Sequence, residues 1–133
     1  MGKLIAFILL FGFAASAQAK TIIDDRGGYL LVYATEVYHL RLSGEPVQVI
    51  GDCYSACTLF LSLPPKQLCI TRAATFNFHK PYGGNKADTD LSIRLMREDY
   101  PRWVVNWIDN NGGLTNELLT MDYSYAKRFI KSC

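Results

Sequence analysis

Apolar and polar positions alternate in short blocks along this chain, and the period of the pattern changes several times. Thr21-Ile22-Ile23 is an apolar run that stops at Asp24-Asp25-Arg26-Gly27-Gly28, which predicts a short strand closed by a turn. From Tyr29 the period lengthens. Leu30, Ala34, Val37, Tyr38 and Leu42 recur at helical spacing. Ser43-Gly44 stops that helix, and Glu45-Pro46 prevents its continuation. Val47-Gln48-Val49-Ile50 is a β-branched strand ending at Gly51. Ala56 to Leu63 predicts a buried helix halted by Pro64-Pro65. Leu68-Cys69-Ile70-Thr71 and Thr75-Phe76-Asn77-Phe78 predict two more strands, and Pro81-Tyr82-Gly83-Gly84-Asn85 a loop. Asp88 or Thr89 then caps a long helical region holding Leu91, Leu95, Trp103 and Trp107, kinked or restarted at Pro101. Asn110-Asn111-Gly112-Gly113 ends it, and a turn from Thr115 leads to a final helix near Tyr123 to Lys131.

Strand and helix alternate in the first half, and helices fill the second. The pattern predicts an α/β fold: short, mostly parallel strands, crossover helices and a helical C-terminal part. In such sheets the working residues gather at the C-terminal ends of strands. Gly27-Gly28, Ser55 and the segment around His79 all fall at such ends.

The N-terminus changes where this fold is expected to work. Lys3, the apolar run Leu4 to Ala15 and Ala17-Gln18-Ala19 have the order of a cleavable export signal. Residues 1–19 are therefore expected to be removed. Residues 20–133 then form one small domain, periplasmic or secreted, with no second apolar segment to hold it in a membrane. The whole chain carries 14 basic and 12 acidic residues. That balance gives no support for nucleic-acid binding. Cys53, Cys57, Cys69 and Cys133 all lie beyond the signal, and an even count in an exported domain predicts two disulfides. Three pairings are open. The favoured one joins Cys53 to Cys57 across the serine turn and Cys69 to Cys133 at the C-terminus. A metal site is the weaker reading of the Cys-x3-Cys pair, and nothing points to a cofactor.

The chemistry concentrates in Gly51-Asp52-Cys53-Tyr54-Ser55-Ala56-Cys57-Thr58 and in Phe78-His79-Lys80-Pro81. Ser55 stands at a strand-to-helix junction, where its oxygen is exposed beside unsatisfied N–H groups. His79, following a strand, is the candidate base that deprotonates it. The N–H groups of Ala56 and Gly28 are candidate oxyanion donors. Each piece has an ordinary reading too: serine caps helices, Gly-Gly makes turns, and a loop-edge histidine needs only one hydrogen bond. His39 reads as surface, and Tyr82, Trp103 and Trp107 as core, with the lining of a cleft or partner surface as the alternative.

In this order the pieces resemble the proteolytic subunit of Clp protease and the related exported Clp-protease-like proteins of the crotonase superfamily. Arg26-Gly27-Gly28 is similar to that family's Ser-Pro-Gly-Gly, Ser55-Ala56 to its nucleophile and second donor, and His79-Lys80-Pro81-Tyr82-Gly83-Gly84 to its His-x-Pro-x-Gly-Gly. The resemblance covers about Ile22 to Thr120. It implies a Clp-protease/crotonase-like fold and a serine peptidase acting on peptide or protein, with self-assembly into a homo-oligomer left open. It also implies a third residue that orients the histidine. Aligning Leu118-Leu119-Thr120 puts Asn116 in that place, beside Glu117, while Asp122 reads better as the N-cap of the last helix. Arg26 stands where the family has proline. The family also carries more sheet ahead of the Gly-Gly strand, so the fold is expected to be truncated on its N-terminal side. These departures favour the chief alternative, a non-catalytic peptide- or protein-binding domain on the same fold. A third reading is a purely structural, disulfide-stapled domain.

Overall fold

The computed structural model describes residues 18–133, so most of the expected export signal lies outside the described residues. The elements are β1 (Lys20–Ile22), α1 (Leu30–Ser43), β2 (Val47–Val49), β3 (Asp52–Tyr54), β4 (Leu68–Ile70), β5 (Thr75–Phe78), α2 (Lys86–Asp99), α3 (Arg102–Asn110), β6 (Leu119–Asp122), α4 (Tyr123–Ala126) and β7 (Lys131–Ser132). A 3₁₀ segment, Ser55–Ser62, follows β3, and a shorter one, Pro65–Gln67, precedes β4. The architecture is mixed α/β with a mostly parallel sheet.

Two sheets share the same chain paths. One runs β1-β2-β4-β7, all parallel. The other runs β3-β5-β6, with β3 and β5 parallel and β6 antiparallel to β5. Residue 25 adds an isolated parallel bridge to Cys53. The chain therefore passes from the first sheet into the second three times: after β1, between β2 and β3, and between β4 and β5. Hydrogen bonds Ile50 N–H to Ile22 O (2.9 Å) and Thr71 N–H to Val49 O (3.0 Å) continue the pairing into the bend. Gly51 occupies one bend because a Cβ there would collide with the Asp24 carboxylate.

Both sheets bury their inner faces. Val47, Val49, Ile70, Phe76, Phe78 and Phe60 are wholly buried, each contributing roughly 1.5–3 kcal/mol of transfer free energy. Residues Ala56 to Leu61 are buried in succession, so the 3₁₀ segment runs through the core rather than over it. It replaces the helix expected over Ala56 to Leu63. Thr58 Oγ1 donates to Ser55 O (2.6 Å) and Ser62 Oγ to Leu59 O (2.7 Å), both gripping the carbonyl three residues back. That is the spacing of a 3₁₀ turn.

Several expectations stand and others need correction. Gly44 ends α1 in the left-handed conformation, its N–H on Leu40 O (2.9 Å). Pro101 separates α2 from α3 as the N-cap of the latter. The cap of α2 is Asn85, not Asp88 or Thr89. Its side chain accepts from Asp88 N–H (2.9 Å), and Asp88 completes a capping box. Tyr38 and Leu42, expected on the inner face of α1, are 56% and 68% exposed, because the helix packs through Val37 and Leu40. The C-terminal part is not wholly helical: β6 lies where a turn was expected and pairs with β5, the final helix is one turn, α4, and the chain then enters β7. Trp107 packs on Phe78 (5.6 Å between ring centres) and Trp103 stacks on Phe129 (4.5 Å), in keeping with core roles. His39 is exposed.

Both favoured disulfides are formed, Cys53–Cys57 and Cys69–Cys133. The second ties β4 to the residue that follows β7. Among the described residues, no helix is long and apolar enough to cross a membrane.

Candidate active site

Ser55 leaves β3 with φ of +55°, one of two non-glycine residues with positive φ among those described. The left-handed turn ends the strand abruptly and leaves the half-buried Ser55 on the wall of a cleft. The cleft has a volume of about 740 Å³. Gly28, Ser55, Ala56 and His79 all line it. The turn Arg26–Gly28 and the start of α1 form one side, and α2 with the Pro81–Gly83 loop forms the other.

The glycine turn is fixed from behind. Asp25 N–H donates to Asp52 O (2.8 Å), and Tyr54 N–H donates to Asp25 O (2.8 Å), which locks the turn to β3. The Asp25 carboxylate accepts Gly27 N–H (2.8 Å) and the Tyr33 hydroxyl (2.6 Å) on the same oxygen. Burial, and then the neighbouring Asp25 carboxylate, push the Tyr33 phenol well above its ordinary pKa, so it stays a donor. Gly27 must be glycine. Its φ is +77°, and a Cβ there would lie 2.5 Å from Tyr54 O and 2.9 Å from Ser55 Cβ. Gly28 has no such constraint; its added Cβ would only touch Tyr33, at 3.4 Å.

The two glycines thus have different tasks. The Gly27 N–H is spent on Asp25, while that of Gly28 makes no hydrogen bond among the described residues. Ala56 lies in the first turn of the 3₁₀ segment, where the repeating pattern leaves an N–H without a partner. Gly28 and Ala56 therefore bring unspent N–H groups to the lining of the same cleft as Ser55.

His79 follows β5 and is half-buried. Its Nδ1 lies 2.8 Å from Lys80 O. A carbonyl only accepts, so this contact puts the proton on Nδ1 and leaves the lone pair on Nε2. The Lys80 peptide is itself held, its N–H donating to Thr115 O (2.6 Å). Tyr82 is not a core residue: it is 87% exposed in the loop after β5, lines the cleft, and stacks on the imidazole at 5.7 Å between ring centres.

The β5–β6 register sorts the candidates for the third position. Phe78 faces Leu119 and Thr75 faces Asp122. Asp122 therefore stands at the far end of β5 from His79, about 13 Å along the strand. Its carboxylate is occupied as the N-cap of α4, accepting from Ser124 Oγ (2.6 Å) and then Tyr125 N–H (3.0 Å), which hold its pKa below the usual value. Asn116 is on the His79 side. With His79, Lys80, Tyr82 and Leu118 it lines a second cavity of about 430 Å³, but among the described residues it makes no hydrogen bond to the imidazole. The backbone carbonyl of Lys80 takes the orienting contact instead. Glu117 is exposed and its N–H donates to Thr115 Oγ1 (3.1 Å).

Sequence reasoning missed Asp25 and Tyr33, which fix the glycine turn. The Asp25-Arg26-Gly27 spacing carried a signal, since an aspartate accepting from the N–H two residues on is an Asx turn. It also missed Thr58 and Tyr100, whose hydroxyls meet at 2.5 Å behind Ser55. Among the described residues, no three His, Cys, Asp or Glu side chains gather to hold a metal ion. The chain matches no protein-family model, and no curated protein matches it significantly.

Proposed function

We propose that the chain is an exported serine hydrolase of the peptidase type, on a Clp-protease/crotonase-like fold, with Ser55 as nucleophile and His79 as base. The observation that carries this reading is the convergence of Ser55, His79, Gly28 and Ala56 on one cleft. The left-handed backbone at Ser55 adds to it, because strain of that kind gathers at working sites. The disulfides suit an oxidising compartment.

The chemistry follows from the groups present. A peptide carbonyl enters the cleft with its oxygen toward the N–H groups of Gly28 and Ala56. His79 Nε2 takes the Ser55 proton as Oγ bonds to the carbonyl carbon. The negative charge that develops on the carbonyl oxygen is stabilised by the two N–H dipoles. The imidazolium then gives its proton to the leaving amine, and an acyl-serine remains. Water, deprotonated by the same nitrogen, releases the acid and restores Ser55. The Lys80 carbonyl orients the ring through Nδ1–H. It carries no full charge, so it stabilises the imidazolium less than a carboxylate does.

That last point favours a second reading, a peptide-binding domain that holds a carbonyl or carboxylate on the same N–H groups without cleaving it. Digestion of a mixed peptide library separates the two. Hydrolysis by the wild type that disappears in Ser55→Ala and His79→Ala supports the peptidase. Peptide binding without cleavage, unchanged in His79→Ala, supports the binding domain.

A further inference from the structure

Ser55 holds a backbone conformation that a residue with a side chain adopts only at a cost, so something must impose it. Two devices outside the catalytic pair converge on this turn. One is the disulfide. Cys53 and Cys57 bracket Ser55 two residues to either side, with Cα atoms 5.4 Å apart, and both are wholly buried. The other is a buried chain of hydroxyls. Thr58 Oγ1 donates its single proton to Ser55 O (2.6 Å). The 2.5 Å contact between Thr58 and Tyr100 is therefore donated by Tyr100. Tyr100 ends α2, whose other residues form the far wall of the cleft, so this relay joins that wall to the serine turn. Burial keeps the Tyr100 phenol protonated well above its ordinary range, so the donor persists at neutral pH.

We infer that the Cys53–Cys57 disulfide and the Tyr100–Thr58 relay are positioning groups for Ser55, which hold its backbone left-handed and make the site competent only once that disulfide has formed. The catalytic consequence rests on the reading of Ser55 as nucleophile. The conformational part stands on the backbone alone.

The second disulfide supplies the control. Cys69 and Cys133 are 64 residues apart, against 4 for the pair at the serine. The longer loop stabilises the fold more, and it joins β4 to the residue after β7 instead of bracketing Ser55. If disulfides served stability alone, losing Cys69–Cys133 would harm Ser55 at least as much as losing Cys53–Cys57. Positioning reverses that order.

The test compares wild type, C53A/C57A, C69A/C133A and Thr58→Val by two readouts. One is the rate of labelling by a fluorophosphonate probe. The other is the Ser55 HN–Hα coupling with its Cα and Cβ shifts by NMR, which reports the sign of φ whether or not the protein is active. C53A/C57A is expected to melt above C69A/C133A, yet to lose the left-handed signature and label about 100-fold more slowly. Thr58→Val is expected to move both readouts the same way, and it decides the matter if C53A/C57A does not fold. A left-handed Ser55 retained in C53A/C57A, or lost equally in C69A/C133A, overturns the inference. A wild type that never labels, but whose Ser55 signature depends on Cys53–Cys57, keeps the positioning and removes the hydrolase reading.

Discussion

Ser55, Gly27 and Gly28 look alike as motif residues but differ physically, and substitution separates them. Left-handed backbone costs a residue with a Cβ about 1–2 kcal/mol, part of which the greater freedom of unfolded glycine offsets. Ser55→Gly and Ser55→Ala both remove the hydroxyl, but only glycine releases the strain at φ +55°. Urea denaturation should find Ser55→Gly about 1 kcal/mol more stable than Ser55→Ala. Equal stabilities would mean that the turn is not strained. At the neighbouring turn, Gly27→Ala drives a Cβ to 2.5 Å from Tyr54 O and should cost about 2 kcal/mol or more. Gly28→Ala meets only ordinary contact and should leave the melting temperature nearly unchanged. The Gly-Gly pair was legible in the sequence as a turn at a strand end. The division of labour inside it was not, because that depends on Asp25 capturing one N–H and leaving the other free.

Among the elements, those with a strong period were legible and those held by long-range contacts were not. β2, β4 and β5 announce themselves as β-branched or aromatic runs, and α3 ends at its Asn-Gly cluster as expected. β7 is two polar residues, paired with β4 where Cys133 meets Cys69. No local pattern marks it. α1 is apolar on nearly every side, with Leu31, Val32, Tyr38 and Leu42 all exposed, so its buried stripe was not readable from periodicity. Two predictions belong at this scale. The Asn85 cap of α2 should be worth about 1 kcal/mol by Asn85→Ala in denaturant titration. Losing the 64-residue Cys69–Cys133 loop should cost about 4 kcal/mol, and a loss below that from C53A/C57A would contradict the loop-length argument.

At the scale of the whole molecule, bending three strand paths from one sheet into another brings the ends of β3 and β5 to one cleft, and with them Ser55 and His79. That was legible in part: both residues were expected at strand ends, but Ser55 follows β3, a separate strand in the second sheet, and not the Val47–Ile50 strand that the sequence marks. The partner of the imidazole was not, since the carbonyl of Lys80 belongs to the backbone and has no residue-type signal. The buried Tyr100 and the Asp25-bound Tyr33 set an alkaline limit on this assembly. Both phenols have pKa values raised above 10.0 on folding, so their contribution is complete below the unfolded value and lost as pH rises beyond it. Melting temperature should therefore fall above about pH 10, and Tyr100→Phe should flatten that fall. An unchanged alkaline profile in Tyr100→Phe would count against a buried, protonated phenol.

The central claim is an activated serine, and the most direct measurement is covalent labelling of the oxidised domain, residues 20–133, by a fluorophosphonate probe, followed by intact mass and peptide mapping. The predicted result is one adduct on Ser55, absent in Ser55→Ala, and slowed about 100-fold or more in His79→Ala. Folded, disulfide-intact protein that takes up no probe, or labels equally without His79, would contradict it.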